Sequence, residues 1–443
     1  MTGRHGITLA IVSVVLMAAA AQAPAESPAA PVGLEEMNAR IQKYRTAEVT
    51  LTVTDAGGRP LAGAAVTVQQ TRHQFLFGCN AFGLSASREG PAQTAYRDRF
   101  KALLNFATLP FYWGAYERQE GQPAADGRRA MAEWCAASGI RTKGHPLCWH
   151  QVPPSWLAGK TPEEVQALQI GRITREVKGF AGLIDTWDVV NEAVVMPTYQ
   201  LDKNPIAQLC KKIGAPELIK ETFAAARTAN PRATLVLNDY DTSPKYEALI
   251  RECLAAGVTI DVIGIQSHQH NGYRGARWTW EACERFAKFG KPLHFTETTF
   301  VSGEEKQHMD WNNGHYTDWV TTPEGEKRQA AQVAEFYRIL FSHPAVQAIT
   351  WWDFSDAGAW LGAPSGLVRK DMSPKPVYDA LLKMVKTEWW TGPLALKTDE
   401  RGQVKFHGFL GAYAVESSGA RATFEVGRAG EFAVSTQLSA AKP

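Results

Sequence analysis

Residues 184–192 read Ile-Asp-Thr-Trp-Asp-Val-Val-Asn-Glu, a short apolar and β-branched run that ends on an amide and a carboxylate. A run of that length between helix-period segments predicts a strand buried on both faces, as in a parallel sheet. The same unit recurs on either side of it. Strands are expected at 75–79, 105–109, 141–149, 184–191, 234–240, 260–267, 292–297 and 347–354. Helices are expected at 90–104, 127–138, 161–180, 215–229, 244–256, 279–289, 325–342 and 374–387. Eight strand–helix units within residues 74–390 predict a (β/α)8 TIM barrel. A doubly wound sheet is the rival, but no Gly-rich phosphate loop follows the first strand.

In such a barrel the chemistry sits at the C-terminal ends of the strands, and polar residues collect there. The third strand runs into His145 and Trp149, the fourth ends in Asn191-Glu192, and the fifth carries Tyr240. The sixth ends in Gln266-Ser-His268, the seventh in Glu297, and the eighth leads to Trp352 and Trp360. One carboxylate at a strand end is usually a loop cap or an ion-pair partner. Two glutamates on the fourth and seventh strands, facing each other across a mouth ringed with Trp, His, Asn and Gln, predict a pair that cleaves glycosidic bonds. A gap of about 5–5.5 Å between such carboxyls gives retention, and about 6.5–9.5 Å gives inversion.

The flanks have a different pattern. Residues 48–55 and 64–72 are period-2 runs joined by the turn-rich AGGRPLAG, which predicts a hairpin. Residues 391–443 hold further short strands. Segments 47–73 and 391–443 are expected to pack together as one small β-sandwich-like domain. Residues 24–46 read as a linker and a short helix. Residues 1–23 read as a signal peptide, with a basic start, an apolar core at 7–21 and an Ala-Gln-Ala exit. A secreted or periplasmic monomer with no membrane insertion after cleavage is therefore expected. The apolar core is short for a membrane span of about 20 residues.

The formal net charge of +2 gives no reason to expect a nucleic-acid partner. Six scattered cysteines form no CxxC pair, so neither a zinc site nor any other metal or cofactor is expected, and buried free thiols are the simplest reading. The 14 tryptophans suit sugar faces, although most tryptophans in any protein are core.

The motifs GHPLCWH (144–150), PPSW (153–156), WDVVNEA (187–193), LNDYD (237–241), IGIQSH (263–268), FTE (295–297), WWDFSDAGAW (351–360) and PKPVYDAL (374–381) resemble family 10 glycoside hydrolases, the endo-β-1,4-xylanases. The resemblance covers residues 74–390. It implies a retaining, endo-acting cleavage of xylan with Glu192 as acid/base and Glu297 as nucleophile. It also implies that His145, Trp149, Asn191, Tyr240, Gln266, His268, Trp352, Trp360 and Trp113 contact a polysaccharide or oligosaccharide. Trp187 and nearby aromatics are expected to desolvate Glu192, and His268 and Gln266 to keep Glu297 ionised. Alternatives are the same chemistry on another β-1,4-glycan or on xylo-oligosaccharides, or a barrel that only binds sugar.

Two departures bear on the substrate. Where the family has TPEN-x-MKW, this chain has Thr108-Leu-Pro-Phe-Tyr-Trp113, which removes a Glu-Asn pair and a Lys. Lys143, with the side-chain parity of His145, is a candidate replacement for the Lys. Thr299 stands where the family often has an Asp paired with the His of QSH. Without that carboxylate His268 is expected to protonate less readily. The long stretch 298–324, with Trp311, His315, Tyr316 and Trp319, is expected to shape the acceptor side of the cleft.

Overall fold

A computed structural model describes residues 33–85 and 89–440. Its centre is a closed parallel barrel of eight strands. In order they are Leu76–Asn80, Phe106–Pro110, Arg141–His145, Thr186–Asn191, Thr234–Asp239, Val262–Gln269, Leu293–Phe300 and Val346–Trp351. The eighth pairs with the first, Ala348 beside Leu76, and closes the ring. The TIM barrel expected from the alternation is present. Its strands are buried on both faces, the seventh along its whole length, which is why they read as continuous apolar runs.

Strand ends differ from the expected ones for local reasons. The third strand stops at His145 because Pro146 has no N–H to give the ladder. The chain still follows its neighbour, with Leu147 N–H donating to Asp188 O and Cys148 N–H to Val189 O, both at 2.9 Å. The seventh strand continues to Phe300, past its expected end. A helix at Pro205–Ile213 was not anticipated; Asn204 caps it, its Oδ1 accepting from Ala207 N–H at 2.9 Å.

The flanks form a β-sandwich, but not by the expected hairpin. Thr46–Thr54 lies in a three-stranded sheet between Gln403–Phe409 and Gly430–Gln437. Ala65–His73 lies in the other sheet, between Leu394–Lys397 and Gly411–Ser417. Both edges of Thr46–Thr54 are occupied, so the turn-rich connection carries the chain from one sheet to the other. Val49, Leu51, Val66, Val68, Tyr413 and Val415 share the core between the sheets. This unit is therefore built from both ends of the described chain, as expected.

The sandwich sits under the N-terminal ends of the barrel strands. His73 packs edge-on against Phe77, Trp390 and Phe409, and Trp389 stacks on Phe341 at 4.3 Å. Residues 1–32, which include the expected signal peptide, lie outside the described residues. The helix Leu34–Arg45 packs on the barrel, with Met37 against Trp280 and Ile339. Its Arg45 donates to the carbonyls of Phe341 and Val346, each at 2.7 Å. All six cysteines are buried free thiols. Among the described residues, no helix is long and apolar enough to cross a membrane.

Candidate active site

The opposite end of the barrel brings Glu192 and Glu297 into one hydrogen-bonded network. Glu192 follows the fourth strand with φ +58°, a left-handed conformation that costs a residue bearing a Cβ on the order of 1 kcal/mol or more. Its N–H donates to Asn238 O at 2.8 Å, which holds that turn in place. Register irregularities lie just before the functional residues. One separates Asp188 from Val190, and the other lets Gln266 pair with Glu297 after Ile265 pairs with Phe295. Such irregularities re-aim side chains at strand ends.

Asn191 Nδ2 donates to Glu192 Oε1 at 3.2 Å, and Gln266 Nε2 donates to the same oxygen at 3.1 Å. Asn238 Nδ2 donates to Asn191 Oδ1 at 2.7 Å and to Glu297 Oε1 at 2.8 Å. Thr296 fixes that amide's orientation, its hydroxyl donating to Asn238 Oδ1 at 2.6 Å. His268 Nε2 lies 3.2 Å from Glu297 Oε2, and His145 Nε2 lies 3.9 Å from Oε1. Beneath them Asp188 Oδ2 takes both Lys143 Nζ and His145 Nδ1 at 2.7 Å.

Both glutamates are over nine-tenths buried, yet their surroundings differ. Burial pushes Glu192 up to about 7, reinforced by the charge of Glu297. The Trp149 indole N–H, which meets full hydrogen-bond geometry with no acceptor, opposes this, as do Gln266 and Asn191. His150 Nε2 lies 3.8 Å from Glu192 Oε2, and burial pushes that imidazole down to about 4. A neutral His150 does little to favour the Glu192 carboxylate. Burial also raises Glu297, but His145, His268 and Lys143 outweigh it and hold its pKa below the usual carboxylate value. One carboxyl is thus tuned to carry a proton near neutral pH and the other to be ionised.

The expected site residues fall into four groups. His145, Asn191, Gln266 and His268 belong to the network. Trp149, Trp352 and Trp360 wall it: Trp352 stands edge-on to His145 at 5.4 Å and to His268 at 5.8 Å, and Trp360 lies 4.7 Å from His268. Tyr240, 49% exposed, stands at the rim, where burial and then the charge of Glu192 push its phenol up to about 12. Trp113 is not in the cleft. Its indole donates to Glu117 Oε2 at 2.9 Å, with Trp156 and Arg172 against its ring, so Trp113 holds Glu117 in a structural role.

Three further expectations need correction. Lys143 is fully buried in an ion pair and cannot reach a sugar. Trp187 packs against Phe111 and Phe180, away from Glu192. Gln266 bonds Glu192, not Glu297. The expected hydrogen-bond support of Glu297 therefore comes from His268 and Asn238. Thr299 Oγ1 does meet His268 Nδ1, at 2.9 Å, a neutral partner where a carboxylate was missing.

Asn238, His150, Asp188 and Tyr112 also belong to the site but are not singled out by the sequence. The first three lie inside the motifs quoted above, but their roles depend on cross-strand register. Tyr112 lies in the departing segment. Its ring faces His145, Trp149 and Phe82 at 5.5–5.7 Å, and burial, then Glu297 and Glu192, keeps its phenol protonated. Among the described residues no group of three or more His, Cys, Asp or Glu is placed to hold a metal ion.

Fold and site together define a carboxylate-pair glycoside hydrolase on a TIM barrel. Residues 78–384 match the model of glycosyl hydrolase family 10, and the chain belongs to that family. It is 24% identical to the anti-sigma-I factor RsgI6 of Acetivibrio thermocellus over 86% of this chain and 46% of that protein. It is 29% identical to endo-1,4-beta-xylanase B of Thermotoga neapolitana over 57% of this chain and 72% of that one. The chain thus spans less than half of the first relative and nearly three quarters of the second. Xylanase 10B of Thermotoga petrophila, solved with xylobiose, superposes with a TM-score of 0.60 at 25% identity, covering 70% of this chain and 95% of that one.

Proposed function

We propose that the protein cleaves β-1,4-linked xylan within the chain by retaining double displacement. The opposed tuning of two glutamates in one network carries this reading. Glu192 protonates the leaving glycosidic oxygen while the Glu297 carboxylate attacks the anomeric carbon, forming a glycosyl-enzyme. Glu192, now ionised, takes a proton from water, and that water's oxygen displaces Glu297 from the sugar. Asn191, held by Asn238 and Gln266, is placed to meet the hydroxyl next to the anomeric carbon. The names of the relatives support xylan as substrate.

A second reading, another β-1,4-glycan or xylo-oligosaccharides, is favoured by one observation. The segment from Thr108 to Trp113 offers the cleft a tyrosine and no charged group. A barrel that only binds sugar is disfavoured, because such a protein has no need to hold its two glutamates in opposite protonation states. Export to the periplasm or outside the cell is supported by the apolar stretch at 7–21.

Incubation with xylan, β-glucan, mannan and cellulose, with products resolved by size, tests the reading. Xylo-oligosaccharides that vanish with Glu297→Ala support it; activity retained in that variant sinks the nucleophile assignment. Release of single terminal sugars only would sink the internal mode of attack.

A further inference from the structure

The third and seventh strands stand four places apart in the ring of eight, so they are diametrically opposed. Loops from opposed strands face each other across an open mouth. Here they touch. Gln151, just past the third strand, donates its side-chain amide to Oδ1 of Asn312, in the segment after the seventh, at 3.3 Å. Residues 301–322 therefore cross the mouth as a strap.

One side of the strap is anchored. Trp319 packs with Val301 and Ala363, and its indole donates to Glu304 O at 2.7 Å. Tyr316 N–H donates to Leu361 O at 2.8 Å, and Gln307 donates to Asn271 O at 2.9 Å. Trp311 lies against Trp360 at 5.7 Å and His270 at 5.3 Å. The far side is held by the Gln151–Asn312 bond, and there the charge of Asp310 reaches the Tyr199 phenol on the loop after the fourth strand.

We propose that this strap is a specificity element that favours linear, undecorated β-linked chain and short oligosaccharides over backbone bearing side-chain sugars. The proposal rests on the glycanase reading above. A bare chain, one sugar wide, passes between the strap and the two glutamates. A branch on a covered sugar meets Trp311, Asn312 or Gln151, and the strap must lift. The clasp is one exposed hydrogen bond, worth about 1 kcal/mol net. It lifts readily enough for internal attack on a polymer, but branched chains are disfavoured at every encounter.

The test uses the full chain and two double variants. Gln151→Ala/Asn312→Ala removes the clasp. It is expected to raise kcat/KM on arabinosyl-bearing xylan about fivefold, the factor one hydrogen bond supplies, while leaving linear xylohexaose within about twofold. Gln151→Cys/Asn312→Cys, joined by a short bis-maleimide, fixes the strap; the native thiols are buried and do not compete. The linked protein is expected to keep xylohexaose hydrolysis and lose most activity on the decorated polymer. Equal loss on both substrates, an unchanged ratio in both variants, or failure to crosslink in an active protein overturns the strap. An inactive parent protein overturns the glycanase reading and the selectivity with it, so the two failures are distinct.

Discussion

Asn238 Nδ2 lies 2.8 Å from Glu297 Oε1, and the same nitrogen lies 2.7 Å from Asn191 Oδ1. One amide on the fifth strand thus ties Glu297 on the seventh to the asparagine beside Glu192 on the fourth. A hydrogen bond to a charged group contributes about 1.5–3 kcal/mol. Asn238→Ala should therefore lower kcat on xylo-oligosaccharides by about ten- to a hundredfold, with a much smaller change in KM. A loss confined to KM would show that Asn238 binds sugar and does not position Glu297.

The opposed tuning of the glutamates sets the pH response of hydrolysis. The proposed double displacement needs Glu192 protonated and Glu297 ionised. The alkaline limb of kcat/KM should fall through about pH 7, where Glu192 loses its proton. The acid limb lies below the ordinary Glu value, because Glu297 is held down. In Glu192→Gln the residual activity on a substrate with a good leaving group should lack the alkaline limb. Persistence of that limb would assign it to another group.

The barrel was legible because each buried strand is a short β-branched run and each helix a long periodic one. The two glutamates were legible because strand ends are where a barrel exposes chemistry. The rest depends on register, which a local pattern does not carry. Gln266 reaches Glu192 only through the irregularity between Ile265 and Gln266. Trp113 and Trp187 look like site tryptophans in sequence, yet one turns toward Glu117 and the other toward Phe111. The 48–55 and 64–72 runs show hairpin spacing, but partners some 350 residues away take both sheets. The stretch 298–324 is expected to shape the acceptor side of the cleft, but only the ring order, with Gln151 bonded to Asn312, shows that it meets the loop of the opposed strand.

Three acids near the mouth have pKa values raised by burial: Asp353 to about 6, Glu192 to about 7 and Asp239 to about 8. In the unfolded chain such groups titrate near 4. Their contribution to stability is complete below about pH 4 and is lost as pH rises through about 6 to 8. Melting temperature should therefore fall from about pH 4 to about pH 8. Asp353→Asn should flatten the early part of that fall. An Asn can still accept from Trp360 N–H, and the Ser365 hydroxyl has Ala363 O at 3.3 Å as a second acceptor. A melting temperature flat across this range would count against buried neutral acids. Glu297 and Asp188, held low, act in the opposite sense and remove stability as pH falls through their depressed values.

Lys143 and Asp188 form an ion pair with no exposed atoms, directly under His145. Burial raises Asp188, and Lys143 and His145 more than reverse it. Removing one partner of such a pair leaves a buried charge alone and costs about 3–5 kcal/mol. Lys143→Met and Asp188→Asn should each lower stability by that order in denaturant unfolding. The double variant should lose clearly less than the sum, since neither charge then remains unpaired. Because Asp188 also orients His145, which lies 3.9 Å from Glu297, the double variant should fold yet turn over slowly. Additive losses would mean that the pair contributes nothing jointly. Full activity in a folded double variant would remove Asp188 from the support of Glu297.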